Sequence, residues 1–251
     1  MRDEAGGVGM RDESGGLERG LASLGVAEAA KAAAAMTAFM DAVLERNEII
    51  NLTSITDRAE FEIKHLLDSL TCYGWPEIEA AKRIVDVGTG AGFPGVPLAI
   101  VCPEKRFLLM DALGKRIEFL KDAVSALNLT NVELLHSRAE DAGRDARLRE
   151  RFDLCVCRAV GKLPVLAEYC FPLVKPGGSI YAYKTLNAAA ETEAGLSAIR
   201  LLGGAAEADT RRTGTDERSS VSGHSIVVLK KIRRTPNTYP RRAGTPGKVP
   251  L

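Results

Sequence analysis

The period of the apolar positions changes near residue 83. Upstream, Glu28 to Ile50 carries Met36, Phe39, Met40, Val43 and Leu44 at helical spacing, which predicts an amphipathic helix with one apolar face. Asn51 to Thr56 breaks it. Asp57, with Glu60 three positions on, has the form of a capping box and predicts a second helix to about Cys72. From Arg83 onward, short apolar runs alternate with longer helical ones. Arg83–Val87, Arg106–Met110, Val132–His136, Asp153–Cys157, Ser179–Lys184 and Ser225–Lys231 read as strands. Pro94–Val101, Gly114–Asn128, Leu163–Val174 and Ala188–Leu202 read as helices, and Lys175-Pro176-Gly177-Gly178 as a turn. Strands alternating with helices predict an α/β fold: a mostly parallel, doubly wound sheet covered on both faces, behind an N-terminal helical appendage. The last strand follows a long polar loop, which suits a late antiparallel addition.

Composition adds boundaries to this outline. The 251 residues are 45% hydrophobic and 27% charged, enough for one large domain with a small appendage. Met1-Arg2-Asp3-Glu4-Ala5-Gly6-Gly7 recurs almost verbatim as Met10-Arg11-Asp12-Glu13-Ser14-Gly15-Gly16, a duplicated or ambiguous start without the apolar stretch of a secretory signal. The expected organisation is a disordered extension over 1–20, a helical appendage over 21–80, the sheet domain over 81–232 and a basic tail over 233–251. No apolar run is long enough to span a membrane. Five cysteines show no paired-motif spacing, and Cys155 and Cys157 share one face of a strand, which suits packing better than metal binding. The expectation is a reduced, cytoplasmic protein with no metal, and nothing in the chain demands an oligomer. The net charge of +1 hides an asymmetry. Lys230, Lys231, Arg233, Arg234, Arg241, Arg242 and Lys248 stand at the end with no acidic residue among them, while the first 229 residues hold 27 basic against 33 acidic. Such a tail reads equally as a solvated end or as a phosphate-binding arm.

The chemistry points to the loop Asp86-Val87-Gly88-Thr89-Gly90-Ala91-Gly92-Phe93-Pro94-Gly95, between the first strand and its helix. Alternate glycines let the backbone turn sharply and let a ligand approach closely. In an open parallel sheet, ligands bind beyond the carboxyl ends of the strands, where this loop sits. Asp111 ends the next strand, where a carboxylate can hold both hydroxyls of a ribose. Gly90-x-Gly92-x-x-Gly95 formally matches the dinucleotide fingerprint, but Gly88 already occupies the place of its first glycine. Asp86 would crowd a pyrophosphate, and Pro94 removes an amide that a pyrophosphate would use. S-adenosyl-L-methionine has no phosphate and carries an ammonium that suits a carboxylate, so the loop favours that cofactor on a Rossmann-like class I methyltransferase fold.

Several methyltransferase subclasses leave marks absent here. Cys157-Arg158-Ala159-Val160 stands where an amino-methylating enzyme would show Asn/Asp-Pro-Pro-aromatic, and Cys102 precedes Pro103 instead of following a proline as a nucleophile would. The span from about Asn47 to Leu251 resembles the RsmG (GidB) family of bacterial 16S ribosomal RNA guanine-N7 methyltransferases. The matching runs are Asn51–Ile55, His65–Leu70, Asp86–Gly95, Asp111–Arg116, Ser137–Glu140, Arg158-Ala159, Tyr183-Lys184 and Tyr239–Leu251; Ala112 and Cys157 depart where many members have serine. The resemblance implies that Gly88 and Phe93 line the cofactor, that Ala139 and Glu140 meet its adenine, and that Arg158 sits at its reactive end. With Asp86, Gly90, Asp111, Ala112 and Leu113 these make the expected cofactor set. Lys184, Arg233, Arg234, Arg241, Arg242 and Lys248 would face RNA, with 16S rRNA or the 30S subunit as partner.

Guanine N7 offers a free lone pair with no proton to remove, so alignment and exclusion of water suffice and no residue is expected to act as acid or base. Arg158 is the positioning candidate. His65, Asp68 and Ser69 share a helical face but lack the strained elbow of a nucleophilic serine, and read first as a network joining appendage to sheet and second as an RNA or cofactor-lid contact. Arg211, Arg212 and Arg218, beside Asp216 and Glu217, read as a solvated loop. The rival readings are a methyltransferase of another RNA or a small molecule, and a noncatalytic RNA- or nucleotide-binding module.

Overall fold

The computed structural model describes residues 15–185, 188–205, 209–212 and 224–251. Its strands are β1 (Arg83–Val87), β2 (Arg106–Asp111), β3 (Val132–His136), β4 (Phe152–Arg158), β5 (Val174–Thr185), β6 (Asp209–Arg212) and β7 (His224–Lys230). They form one sheet in the order β3-β2-β1-β4-β5-β7-β6. β1 to β5 are parallel, β7 runs antiparallel to β5, and β6 antiparallel to β7. The expected late antiparallel strand is therefore present, with a second one outside it. Asp209–Arg212 was expected to be loop, because its polar residues show no alternation; the open edge of β7 supplies the pairing that the segment itself does not announce. Arg211 and Arg212 thus belong to β6, whereas Asp216, Glu217 and Arg218 lie outside the described residues. The turn expected at Lys175–Gly178 lies within the span of β5, at an irregularity in its pairing with β4 between Phe152 and Leu154.

The helices are α1 (Gly15–Ser23), α2 (Ala29–Asn47), α3 (Arg58–Phe61), α4 (Pro76–Ala80), α5 (Gly95–Val101), α6 (Gly114–Ala126), α7 (Ala139–Ala142), α8 (Leu163–Cys170), α9 (Ala188–Leu202) and α10 (Thr245–Lys248). Asp57 caps α3 by accepting from the N–H of Glu60 at 2.8 Å, as the capping pattern predicts. The helix then widens into a π-helical stretch, Glu62–Leu67, that no periodicity foretold. The disordered extension needs correction from Gly15 onward. Leu17 and Leu21, four residues apart, are buried on α1, and the bare Cα of Gly20 lets α1 approach Leu67. Residues 1–14 lie outside the description.

Successive residues of β1 point to opposite faces of the sheet and enter two cores. Ile84 joins Leu109, Leu154, Val156 and Tyr181 with Met36, Phe39, Met40 and Val43 of α2. Val85 and Val87 join Leu108, Met110, Cys155 and Cys157 with Leu166, Ala167 and Cys170 of α8. Each of those four α2 side chains is fully buried, worth about 1.5–3 kcal/mol apiece. The helical segment upstream of residue 81 therefore shares its core with the sheet. It is a docked cap that brings α2 and the π-helical turn over the carboxyl ends of β1 and β4.

Candidate active site

Three strand ends meet at the site. β1 delivers Asp86 and the glycine loop, β2 delivers Asp111, and β4 delivers Arg158, in register with Tyr183 of β5. Gly88 adopts φ +71°, and a Cβ there would stand 2.9 Å from Cγ2 of Val160, so the loop needs both the backbone freedom and the space of glycine. Asp86 is fully buried. Its Oδ2 accepts from Thr89 Oγ1 at 2.7 Å and from the N–H of Gly95 at 2.9 Å, while Oδ1 has no partner among the described residues. Burial pushes its pKa up to about 7, against the pull of those two donors. Asp111 is held from three sides: Gly90 N–H donates at 3.0 Å, Leu113 N–H at 2.8 Å and Arg116 Nη1 at 3.2 Å.

A cleft runs along these ends, lined by Val87, Gly88, Asp111, Ala139, Glu140 and Tyr169 among others. Ala112, Ser137, Arg138, Met110 and Val160 complete its wall. Of the expected cofactor residues, Gly88, Asp111, Ala112, Ala139 and Glu140 line it directly. Asp86 lies beneath the loop, and Gly90 enters through its bond to Asp111. Leu113 is exposed, and Phe93 turns away from the cleft into an aromatic cluster. Its ring stands 5.4 Å from Phe39 and 5.7 Å from Phe61, and stacks on His65 at 4.7 Å. Sequence reasoning missed Val87, Met110, Ser137, Arg138, Val160 and Tyr169 as lining residues. Tyr169 sits on α8 with no motif around it, and only the packing of α8 against the sheet brings it here.

Arg158 lies beside this cluster, with its guanidinium 5.1 Å from the centre of the Phe93 ring. Its Nη1 donates to Asp68 Oδ2 at 3.1 Å and to the Lys64 carbonyl at 3.2 Å, and its Nη2 donates to His65 Nδ1 at 3.2 Å. Burial, with the Arg158 charge beside it, lowers the His65 pKa to about 4, so the ring is neutral. An arginine only donates; Nδ1 must then accept, and Nε2 carries the proton that reaches Thr53 Oγ1 at 2.7 Å. Ser69 Oγ donates back to the His65 carbonyl at 2.5 Å. These are the contacts of a network that ties the helical segment to the end of β4, and neither His65 nitrogen nor the Ser69 hydroxyl is free for hydrolytic chemistry.

Next to the cleft, Arg158, Ala159, Gly161, Lys162, Tyr183, Lys184 and Glu191 line a second cavity of about 280 Å³. Ala159 holds φ 57°, a strained conformation for a residue with a Cβ. Lys184 Nζ donates to the Gly161 carbonyl at 2.5 Å and to Glu191 Oε1 at 2.8 Å, so it faces this cavity and is mostly buried. The tail is folded onto the body. Lys230 pairs with Glu77, buried Lys231 with Glu150, and Arg241 with Glu168. The seven cations are thus not unopposed, since chain-distant carboxylates meet four of them, Arg234 Nε reaching Glu150 Oε2 at 3.7 Å. Arg233 donates to the Arg200 carbonyl; Arg234, Arg242 and Lys248 are exposed. Among the described residues no group of side chains could hold a metal ion, and no helix is long and apolar enough to cross a membrane.

The buried, half-partnered Asp86, the glycine-walled turn and Asp111 fit S-adenosylmethionine: an ammonium can meet Asp86, and ribose hydroxyls can meet Asp111. The sheet order and this cleft define the class, the S-adenosylmethionine methyltransferase fold. A Bacillus cereus O-methyltransferase solved with SAH superposes with a TM-score of 0.54, at 18% identity over 77% of this chain and 90% of that one. A Thermotoga maritima SAM-dependent O-methyltransferase gives 0.51, at 13% identity over 77% and 72%. Residues 32–218 match the family model for rRNA small subunit methyltransferase G, and the chain belongs to that family. Relatives named ribosomal RNA small subunit methyltransferase G from Lactobacillus johnsonii and Clostridium perfringens are each 44% identical over 85% of this chain, and over 89% and 88% of their own lengths.

Proposed function

We propose that this chain methylates N7 of a guanosine in the decoding-region loop of 16S ribosomal RNA, with S-adenosylmethionine as methyl donor and without a general base. The observation that carries this reading is the meeting of two cavities at the end of β4. Val160 belongs to the cofactor cleft, while Arg158, Ala159 and Gly161 belong to the second cavity, which can receive a base. When bound, S-adenosylmethionine supplies an electrophilic methyl group on a sulfonium. Asp86 and Asp111 would hold its two polar ends, and Arg158, clamped by Asp68 and His65, would fix the wall between methyl and base. The neutral His65, with both nitrogens engaged, supports a mechanism of alignment alone. Family membership supports small-subunit rRNA as the substrate class, and the exposed Arg234, Arg242 and Lys248 would add phosphate contacts in the cytoplasm.

The test incubates the protein with labelled methyl donor and unmethylated 30S subunits or 16S RNA, then maps the modified base. Label on one guanine N7 in the decoding region is the expected result. Label on another atom or another RNA, or uptake of a nicotinamide dinucleotide in place of the methyl donor, overturns the reading.

A further inference from the structure

One wall of the cleft is held in place by the segment Tyr239–Lys248. Glu140 and Tyr169 line that wall. Glu140 is buried, and its Oε1 accepts from the N–H of Gly244 at 2.7 Å. Gly247 lies close to Tyr169, since a Cβ there would stand 3.7 Å from the phenol oxygen. The anchor of this segment is Arg241. Its Nε and Nη2 reach the Glu168 carboxylate at 3.0 and 2.6 Å, and its own backbone N–H adds a third bond at 2.7 Å. Glu168 is fully buried on α8, next in sequence to Tyr169. Nη2 also donates to the Val249 carbonyl at 2.8 Å, and Arg144 Nε to the Pro240 carbonyl at 2.9 Å, so the strap is closed on both sides of Gly244.

We propose that Arg241 is a positioning residue for the methyl donor. By locking Tyr239–Lys248 onto α8, it keeps the Gly244 N–H on Glu140 and so sets the face of the cleft that receives the nucleoside. The inference rests on the cofactor reading above. It divides the basic tail into two roles: Arg241 points inward and serves the cofactor, whereas Arg242, next in the chain, is exposed and does not. A fork of two parallel N–H bonds on a buried carboxylate is a geometry that lysine reproduces only in charge.

Full-length wild type, R241A, R241K and R242A are titrated with S-adenosylmethionine by calorimetry, then assayed on 30S subunits at rising cofactor concentration. R241A is expected to raise the Kd and the cofactor KM about tenfold, a loss near 1.4 kcal/mol, with kcat at saturation within about twofold of wild type. R241K recovers part of the affinity, and R242A binds the cofactor as wild type does. A purely structural role lowers kcat and stability together and leaves KM in place; that pattern, or equal affinity in R241A and wild type, overturns the proposal. Should R241A lose its cooperative unfolding transition, R241K decides, and wild-type affinity in that variant refutes the inference. A wild-type protein that fails to bind the methyl donor refutes the cofactor reading itself, which the first titration separates from the strap.

Discussion

The glycine loop after β1 and the basic segment that ends the chain both help to shape one cleft, and they arrive there by opposite routes. In the loop the demands are local. Gly88, Gly90 and Gly92 all hold positive φ, and the motif that turns the chain also presents Asp86 beneath it. In the tail the demands are tertiary. Lys231 and Arg241 find their carboxylates on Glu150 and Glu168, dozens of residues away, and a charge count along the chain cannot register such partners. Local conformation declares itself in sequence, whereas the fate of a charge depends on what folding places against it.

The largest effect expected from breaking this contrast is at Gly92. Its φ is +108°, and a Cβ would come within 2.8 Å of Val96 Cγ2, 2.9 Å of Phe39 Cζ and 3.0 Å of Leu120 Cδ2. Gly92→Val combines backbone strain with overpacking at the contact between loop and cap, and should destabilise the protein by about 3–5 kcal/mol. Urea denaturation checks this. A midpoint close to that of wild type would show that the loop yields easily and that its glycines serve the ligand alone.

The same division explains what could be read before the structure. Most strands and the larger helices stand where their periodicity places them, because apolar alternation and helical spacing are local codes. The capping of α3 by Asp57 was legible for the same reason. β6 was not, since Asp209–Arg212 gains its conformation from the free edge of β7. The π-helical turn carrying His65 was not, although a network joining His65, Asp68 and Ser69 to the sheet was expected from their shared helix face; that Arg158 is its partner on the sheet was not read. Of the residues singled out from motif and resemblance, Gly88, Asp111, Ala112, Ala139 and Glu140 came to line the cleft. Phe93 did not, because its aromatic neighbours on α2 and α3 draw the ring into the core. Tyr169 came from a helix whose packing alone decides its neighbours.

The second prediction concerns pH and separates what Asp86 does for the fold from what it does for a ligand. Burial raises its folded-state pKa to about 7 from an ordinary value of 3.8. A raised folded pKa means that the contribution to stability is complete below the unfolded value and is lost as pH rises through the folded one. The ligand-free protein should therefore lose stability between about pH 4 and pH 7 through this residue. Asp86→Asn can keep an oxygen toward Thr89 and Gly95 and should flatten that slope. The ionised carboxylate is also what an ammonium requires, so S-adenosylmethionine affinity in wild type should rise over the same interval and stay flat in the variant. Denaturant titrations and calorimetry at pH 5, 6, 7 and 8 measure both, and parallel profiles for the two proteins would remove Asp86 from the ligand's account.

The smallest effect lies at the outer face of the tail. Arg242 and Lys248 are exposed and have no carboxylate partner among the described residues. Replacing both with alanine should change stability by less than about 0.5 kcal/mol, since no buried group loses a partner. Affinity for S-adenosylmethionine should not move either. What should change is the salt dependence of RNA binding: each phosphate contact contributes about 0.7–0.9 units to the slope of log K against log salt, so the double variant should lose about 1.5 units. Filter binding with 16S RNA or 30S subunits across a range of salt concentrations gives that slope directly. An unchanged slope would mark these two cations as a solvated end. The tail would then act through its inward face alone, by way of the Arg241 fork on Glu168, and phosphate recognition would fall to cations elsewhere on the surface.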